Sequence, residues 1–309
     1  MKKIQFDCII LLYTVYKTAV IFLDTIKIKS RAKINLTLDV ISKRPDGYHN
    51  LEMIMQTLEL GDDILIKKSG GGVTVKTDAA GIPSDGRNTA YKAASLFIKE
   101  YGIGCGVEIN ITKRVPAEAG LAGGSGDAAA VLKGMDALFA TGITEKELLR
   151  MGAEIGSDVP FCIMEGTALA KGRGEILERL APCPKFYVVL AKPDEGVSTA
   201  DIFGSLDAGS ISWRPDSRKV IKAINEGDKN GVLNNLGNVL EEVTAKRLPV
   251  INDVKAFLNL HGAGGALMSG SGSTVFALFN TEADARAAAE AAKKEFMFKD
   301  VLVTETFNP

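Results

Sequence analysis

The stretch PAEAGLAGGSGDAA, residues 116–129, constrains the fold more than any other part of the chain, with glycines at positions 120, 123, 124 and 126. Glycine loses more conformational freedom on folding than other residues, so this cluster indicates a tight turn or a large group close to the backbone. Alternating Val107, Ile109 and Ile111 predict a strand before it. Apolar residues at helical spacing over residues 128–139 predict a helix after it.

A strand, a glycine-rich loop and a helix in succession predict an anion site. Free backbone N–H groups and the positive end of the helix dipole point to the same place, and Ser125 adds a hydroxyl donor. The alternative is a tight turn with close helix packing, which explains one or two of the glycines better than all of them. The loop lacks the Lys-Ser/Thr ending of Walker A, and the Rossmann spacing G-x-G-x-x-G is absent from the chain.

The bulk composition narrows the class of function. The chain has 309 residues, enough for two domains, and its net charge of −1 provides no basic field for nucleic acid. Four cysteines without CxxC spacing and two histidines do not favour a zinc site. The same cysteine usage indicates a reduced chain in the cytoplasm.

Residues 1–23 begin with two lysines followed by an apolar stretch, a pattern similar to a signal peptide. Asp7 and Lys17 interrupt it and no small-residue cleavage site follows, whereas a membrane span needs about 20 nearly uninterrupted apolar residues. We expect an atypical leader, without stable membrane association, ahead of a domain that begins near Asp24. A targeting or membrane role is the alternative.

Strand and helix patterns are mixed along the remaining chain. Alternation over residues 25–41 predicts paired strands, and residues 53–60 and 63–67 predict further strands. In the second half, FYVVLAKP predicts a buried strand and ALMSGSGSTVFALF predicts two strands around a glycine turn. The mixture has no regular repeat, so it indicates an α+β fold with two domains, 24–181 and 182–309.

Four stretches together resemble the GHMP kinases, a family of ATP-dependent small-molecule kinases. The glycine stretch is similar to the family loop P-x-G-x-G-L-G-G-G-S-S-x-A-A. The other three stretches are AKINLTLDVISKRPDGYHNLEMIMQTLELGDDI, GSDVPF and SGSGSTVFALF. They narrow the resemblance, which covers residues 25–307, to one group of members. Those members phosphorylate the 2-hydroxyl group of a cytidine-diphosphate derivative of methylerythritol, in the non-mevalonate isoprenoid pathway. The resemblance implies an N-terminal ribosomal-S5-like domain with the ATP loop, a C-terminal ferredoxin-like domain, and substrate in the cleft between them.

The resemblance also implies the partners of the chain. These are ATP, a cytidine-diphosphate polyol and Mg²⁺, which neutralises the polyphosphates. The sequence leaves the protein ligands of Mg²⁺ unknown, with Glu118 as a candidate, and leaves open a monomer or a dimer. Two alternatives remain: another GHMP kinase, of the homoserine or mevalonate type, and a nucleotide-binding regulator without catalysis.

Asp158 and Lys33 are the candidate catalytic residues. The resemblance gives Asp158 the role of the base that orients the substrate hydroxyl and accepts its proton, while an aspartate that braces a turn is the alternative. Lys33 lies in a predicted strand between Ala32 and Ile34, which face the other side. In the cleft its ammonium would stabilise the carboxylate and the transferred phosphoryl group; an exposed strand lysine is the alternative.

The substrate contacts are also implied by the resemblance. Asn35 suits a hydrogen bond to the polyol, because it shares the face of the strand lysine. Tyr48 and His49 follow the turn PDG, so we expect them at a loop tip where a cytosine ring can stack. Phe203, with Thr199 nearby, would lie on the other side of that ring.

The nucleotide contacts implied by the resemblance lie in the glycine stretch and in one asparagine that approaches the adenine. In the family, SGSGSTVF borders the cleft and steadies the nucleotide loop, although alone it is equally a hairpin turn. The implied ATP-binding residues are Asn88, Pro116, Ala117, Glu118, Ala119, Gly120, Leu121, Ala122, Gly123, Gly124, Ser125 and Gly126.

The chain departs from the family pattern at four positions. Arg31 stands where the family usually has proline, Glu118 and Ala122 replace loop glycines, and Gly126 replaces the second serine. A carboxylate beside a triphosphate is repulsive unless a metal ion or a lysine intervenes, so Glu118 is the largest departure. The backbone amides of the loop remain.

Overall fold

The computed structural model describes residues 24–207, 209 and 211–309, so the predicted leader at 1–23 lies outside the described residues. Within them the chain forms two β-sheets with helices packed on both. None of the helices in this part of the chain is long and apolar enough to cross a membrane. The α+β class predicted from the sequence is confirmed.

The first part of the chain begins with three strands and then mixes helices and strands. In order they are β1 (Thr25–Lys43), β2 (His49–Ser69), β3 (Val73–Thr77), α1 (Thr89–Tyr101), β4 (Gly106–Thr112), α2 (Gly123–Phe139), α3 (Glu145–Ile155), α4 (Val159–Met164), β5 (Thr167–Gly172) and β6 (Ile176–Arg179).

The second part begins with a strand and is richer in helix. Its elements are β7 (Tyr187–Lys192), α5 (Thr199–Ser205), α6 (Ser217–Glu226), α7 (Lys229–Leu233), β8 (Gly237–Asn238), α8 (Leu240–Arg247), α9 (Val250–Leu260), β9 (Gly265–Met268), β10 (Val275–Phe279), α10 (Glu282–Phe296) and β11 (Asp300–Glu305).

The first sheet is organised around β1 and β2, which pair antiparallel. The strand order is β3-β4-β2-β1-β8, with β5 paired to the first half of β2 and β6 paired to β5. The short β8 pairs in parallel with β1, at Thr37 and Leu38. The second part of the chain therefore contributes a strand to the first sheet, and the division at residue 181 stays a prediction.

Residues 25–67 form two long strands, and the sequence prediction of several shorter ones was wrong. The pairing of β1 with β2 shifts register between Arg31 and Lys33, as a β-bulge does. At Gly61 the two strands come so close that an added β-carbon would lie 2.1 Å from the Ser30 carbonyl oxygen. These irregularities interrupt the apolar alternation while the pairing continues.

Helices α1 and α2 cover one face of the first sheet and bury Phe97, Val131 and Leu132 in its core. Gly134 brings α2 close to the strands, since an added β-carbon would meet the Ile66 side chain at 2.6 Å. This packing fixes the position of the α2 N-terminus, where the glycine-rich loop ends.

The second sheet has the order β11-β7-β10-β9 and is antiparallel throughout. It confirms the predicted strand in FYVVLAKP and the two strands around the glycine turn. The alanine-rich α10 packs closely on this sheet and buries Ala285, Ala288 and Ala292. The turn between β9 and β10 points toward the first sheet and contacts the glycine-rich loop.

Candidate active site

A cavity of about 910 Å³ is lined by β1, β2, the glycine-rich loop and α5. Seventeen of the nineteen site residues named from the sequence line it, although they come from distant parts of the chain. These are Lys33, Asn35, Tyr48, His49, Asn88, Pro116, Ala117, Glu118, Ala119, Gly120, Ala122, Gly123, Gly124, Ser125, Asp158, Thr199 and Phe203.

The other two, Leu121 and Gly126, are not part of the cavity wall. Leu121 is 1% exposed and packs in the core, and its carbonyl oxygen accepts a hydrogen bond of 3.1 Å from the backbone N–H of Lys33. A β-carbon at Gly126 would lie 2.6 Å from the Ser30 hydroxyl oxygen, because α2 packs directly on β1 there. Both residues hold the loop in place from behind.

The glycines of the loop divide into two groups. An added β-carbon at Gly120 would lie 2.1 Å from the Ser269 carbonyl oxygen, so Gly120, like Gly126, is required by close packing. At Gly124 the nearest atom to such a carbon is the Thr89 hydroxyl oxygen, at 3.3 Å. Gly124 faces the cavity at the first turn of α2, where backbone N–H groups have no partner inside the helix. Packing explains part of the cluster and leaves Gly124 open to the cavity.

The turn between β9 and β10 supports the loop from the second sheet. The Ser269 hydroxyl donates to the Gly120 carbonyl oxygen at 3.0 Å. Ser271 shares a hydrogen bond of 2.8 Å with Thr199, and Asn238 donates to the carbonyl oxygens of Met268 and Gly270. These contacts tie the glycine turn to the glycine-rich loop, to α5 and to β8, which a simple hairpin turn would not require.

Asp158 and Lys33 meet in the floor of the cavity. The Asp158 Oδ2 lies 3.7 Å from the Lys33 Nζ, and the lysine donates a hydrogen bond of 2.8 Å to Asn35 Oδ1. The Lys33 side chain is 5% exposed, whereas that of Asp158 is 32% exposed. Ala32 and Ile34 face the opposite side and are fully buried. The predicted orientation of the strand is confirmed.

The structure argues against the alternative readings of both residues. Asp158 precedes α4, but its side chain makes no capping hydrogen bond, so the carboxylate does not brace the turn. Lys33 is buried, so it is no ordinary surface lysine. A carboxylate open to the cavity, beside a buried ammonium, can orient a hydroxyl group and accept its proton.

Aromatic side chains lie on another side of the cavity. Tyr48 is 55% exposed, as expected for a loop tip, whereas His49 begins β2 and is 7% exposed, so the expectation that both lie at the tip was wrong. The His49 ring lies 5.4 Å from the Phe203 ring. Burial lowers the pKa of His49, with the Lys43 charge acting in the same direction. The lower pKa favours the neutral imidazole, which can donate one hydrogen bond to a ligand and accept another.

Asn88 lines the cavity, but its amide is already in use. The side-chain oxygen accepts from the Ala90 N–H at 2.8 Å and so caps α1, and the amide nitrogen donates to the Pro83 carbonyl oxygen at 2.7 Å. Asn88 thereby fixes the loop that precedes α1. Its contact with adenine stays a prediction.

Sequence reasoning missed a buried charge cluster beneath the loop. The Lys113 ammonium contacts Asp62 and lies 2.9 Å from Asp127 Oδ2. Asp62 also accepts the backbone N–H groups of Arg114 and Val115, which lead into the loop. The signal in the sequence was the pair of basic residues Lys113 and Arg114 shortly before the glycines. The carboxylate partners of Lys113 are distant from it in sequence.

One buried lysine is shared by two carboxylates in this cluster. Burial raises the pKa of Asp127 to about 7, assisted by the second carboxylate at Asp62 and opposed by the Lys113 ammonium. Burial by itself disfavours the ammonium, yet the two carboxylates raise the pKa of Lys113. Asp127 Oδ1 has no hydrogen-bond partner in the described residues. The lysine thus remains charged at the base of the loop, where it lines the cavity.

Two family models match the chain, GHMP kinases N terminal domain over residues 88–166 and GHMP kinases C terminal over residues 220–297. A 4-diphosphocytidyl-2-C-methyl-D-erythritol kinase of Exiguobacterium sibiricum is 49% identical over 259 residues, which are 84% of this chain and 90% of the relative. The chain belongs to the 4-diphosphocytidyl-2-C-methyl-D-erythritol kinase family of GHMP kinases. A relative of the same name from Acetivibrio thermocellus is 48% identical over 88% of this chain and 96% of its own length.

Solved structures agree with this assignment. A crystal structure of 4-(cytidine 5'-diphospho)-2C-methyl-D-erythritol kinase superposes with a TM-score of 0.79 at 30% identity, covering 92% of this chain and all of that one. A homoserine kinase from Cytophaga hutchinsonii has a TM-score of 0.74 at 21% identity over 95% of this chain and 97% of its own, a likeness of fold. The protein is an ATP-dependent small-molecule kinase with the two-domain GHMP fold predicted from the sequence.

Two departures of this kinase from the family loop have a common structural basis. Glu118 has φ of 51° and Ala122 has φ of 57°, both in the left-handed region that glycine adopts at little cost. The backbone retains the conformation of a glycine-containing loop although the side chains have changed. Glu118 is exposed, and its side chain extends toward Gly196. A β-carbon added at Gly196 would lie 3.4 Å from Glu118 Oε2.

The third departure of the kinase, Arg31, lies on the far side of the sheet. Its guanidinium carbon is 3.6 Å from the centroid of the Phe307 ring, and it pairs with Glu59 and Glu165. Arg31 therefore attaches the C-terminal segment to β1, outside the cavity lining.

Proposed function

We propose that this kinase transfers the γ-phosphoryl group of ATP to the 2-hydroxyl group of 4-diphosphocytidyl-2-C-methyl-D-erythritol, a step toward isoprenoid precursors. The Asp158 carboxylate beside Lys33 is the observation that carries the proposal. Asp158 orients the hydroxyl and accepts its proton, and Lys33 stabilises charge on the transferred group. Phosphoryl transfer depends mainly on such positioning and charge stabilisation.

The two substrates enter the cavity from different sides. The triphosphate of ATP binds the free N–H groups at the start of α2, with the Ser125 hydroxyl and the Lys113 ammonium close by. Asn35 donates to the polyol, and the cytosine ring stacks between aromatic side chains of Tyr48 and Phe203. His49 reads an edge of the same ring.

Mg²⁺ accompanies ATP in this proposal. The described residues contain no group of three or more His, Cys, Asp or Glu side chains that could hold a metal ion. Proteins bind Mg²⁺ through one or two carboxylates while phosphates and water complete the octahedron, so this ion needs no cluster of three protein carboxylates. Glu118 and Ser125 line the cavity and offer one carboxylate and one hydroxyl. The ion supplies charge neutralisation between the polyphosphates.

The aromatic side of the cavity separates this function from its alternatives. Homoserine and mevalonate carry no base to stack, so a homoserine or mevalonate kinase would have no use for Tyr48 and Phe203. A regulator without catalysis would not need a carboxylate held open beside a buried lysine. Location in the cytoplasm and a monomeric or dimeric state stay predictions.

The test is a phosphoryl-transfer assay with a panel of acceptors. Purified protein receives Mg²⁺–ATP with the cytidylated methylerythritol, homoserine, mevalonate or no acceptor, and ADP release is measured. We expect turnover with the cytidylated substrate at a kcat/KM at least about 100-fold above the other acceptors, since a site built for a base leaves polar groups unpaired without it. Preference for homoserine or mevalonate, or ATP binding without transfer to any acceptor, would contradict the proposal.

A further inference from the structure

Arg173 lines the cavity, and the proposed function does not yet use it. It lies in the tight turn between β5 and β6, flanked by Gly172 with φ of +70° and Gly174 with φ of +115°. Its backbone N–H donates to Glu175 Oε2 at 2.6 Å. Two left-handed glycines and this hydrogen bond hold position 173 at a fixed place on the cavity rim.

The guanidinium of Arg173 has few contacts of its own. Its Cζ lies 5.1 Å from the centroid of the Tyr48 ring, and its Nε lies 3.8 Å from Glu175 Oε1. The side chain is 32% exposed and donates no hydrogen bond to another side chain in the described part of the protein. A guanidinium carries five N–H donors, so it has free donors for a ligand.

The turn that carries Arg173 also borders the catalytic pair. A β-carbon on Gly174 would lie 3.8 Å from Asp158 Oδ1 and 3.1 Å from Met53 Cε. Arg173 is thus adjacent in sequence to Gly174, which borders the Asp158 carboxylate. Its guanidinium lies beside the Tyr48 ring on the aromatic side of the cavity. It occupies the interval between the two.

The substrate of the proposed function has a diphosphate in this interval. Its polyol lies at Asp158 and its cytosine at Tyr48, and the doubly charged diphosphate connects them. We propose that Arg173 binds that diphosphate, an inference that rests on the proposed function. The planar fork of a guanidinium matches phosphate oxygens in a bidentate way, which an ammonium does not.

The other cations of the cavity are less suited to this role. The Lys33 ammonium is already engaged by Asp158 and Asn35. Lys43 lies opposite His49 in the register of β1 and β2, at the end of the cavity proposed for the cytosine ring. Arg87 and Lys113, which also line the cavity, are held by carboxylate partners of their own. Among the cations of the cavity lining, Arg173 is the one whose neighbours include both ends of the substrate.

The experiment compares cytidine 5'-diphosphate with cytidine as competitive inhibitors of phosphoryl transfer. In Arg173→Gln we expect the inhibition constant of cytidine 5'-diphosphate to rise about 10- to 100-fold, the scale of a lost hydrogen bond to a charged group. The constant for cytidine should change less than about twofold, because base stacking does not involve this charge. KM for ATP should be unchanged.

Two further variants separate charge, geometry and long-range effects. Arg173→Lys keeps the charge and should recover part of the lost affinity. Lys171→Gln removes a cation from the same hairpin; its Nζ lies 3.9 Å from Glu52 Oε2 and it is not part of the cavity lining, so it should change neither inhibition constant. Circular dichroism of each variant checks that the fold is retained.

Three results would overturn the proposal. An equal rise of the inhibition constants of cytidine and cytidine 5'-diphosphate in Arg173→Gln would show that the arginine acts on cytosine binding through Tyr48. Unchanged constants for both would show that it binds neither part. A wild-type enzyme that neither binds cytidine nor phosphorylates the cytidylated substrate would overturn the proposed function itself, together with this inference.

Discussion

The Asp158 carboxylate lies 3.7 Å from the Lys33 ammonium, although one residue precedes a short helix and the other lies in the first strand. Opposite charges attract more strongly where water is partly excluded. The ammonium is also fixed by Asn35, at 2.8 Å. The carboxylate is thereby held at a defined point of the cavity with its exposed side toward the open space.

Replacing Ala122 by glycine is expected to stabilise the protein. The left-handed region costs a residue with a β-carbon about 1–2 kcal/mol, part of which is offset by the greater freedom of unfolded glycine. Ala122 has φ of 57°. The free energy of unfolding of Ala122→Gly, measured in urea, should rise by about 0.5–1 kcal/mol. Ala117→Gly, at an exposed loop position without a left-handed φ, is the control and should not stabilise.

Gly124→Val is expected to weaken ATP binding while the protein remains folded. The branched side chain would fill the space at the start of α2, where its closest neighbour is the Thr89 hydroxyl. Losing even one charge-assisted hydrogen bond to phosphate should raise KM for ATP about tenfold or more. Gly104→Val is the matched control, because nothing lies within 4 Å of a β-carbon there. An unchanged KM for ATP in folded Gly124→Val would show that the loop is purely structural.

Tyr48→Ala is expected to impair recognition of the cytidylated substrate only. Stacking of a base on an aromatic ring contributes about 1–3 kcal/mol, so KM for that substrate should rise about 5- to 150-fold. Tyr48→Phe keeps the ring and should behave nearly as the wild type. If Tyr48→Ala instead raised KM for ATP and left the second substrate unaffected, Tyr48 would belong to the nucleotide site.

Local patterns in the sequence predicted the parts of the site that depend on local geometry. The alternation around Lys33 predicts which face of the strand meets the cavity. Asparagine is a preferred residue at the start of a helix, and Asn88 caps α1. The continuous β1 and β2 were not predictable, because Gly61 permits a close approach that shows only when both strands are present.

Contacts between distant segments account for what the sequence could not predict. Lys113 resembles an ordinary charged residue until folding brings Asp62 and Asp127 around it. Arg173 gains its place from a turn that packs beside Asp158. Neither residue carries a local signal of its environment.

The measurement that tests the mechanism most directly is kcat of Asp158→Asn with both substrates saturating. The amide keeps the shape of the side chain but cannot accept the proton, so kcat should fall about 10²–10⁴-fold, the usual contribution of a general base. Both substrates should still bind. Asp253→Asn, an exposed aspartate in α9, is the matched control and should retain full activity. A folded Asp158→Asn enzyme with near-normal kcat would contradict the assignment of Asp158 as the base.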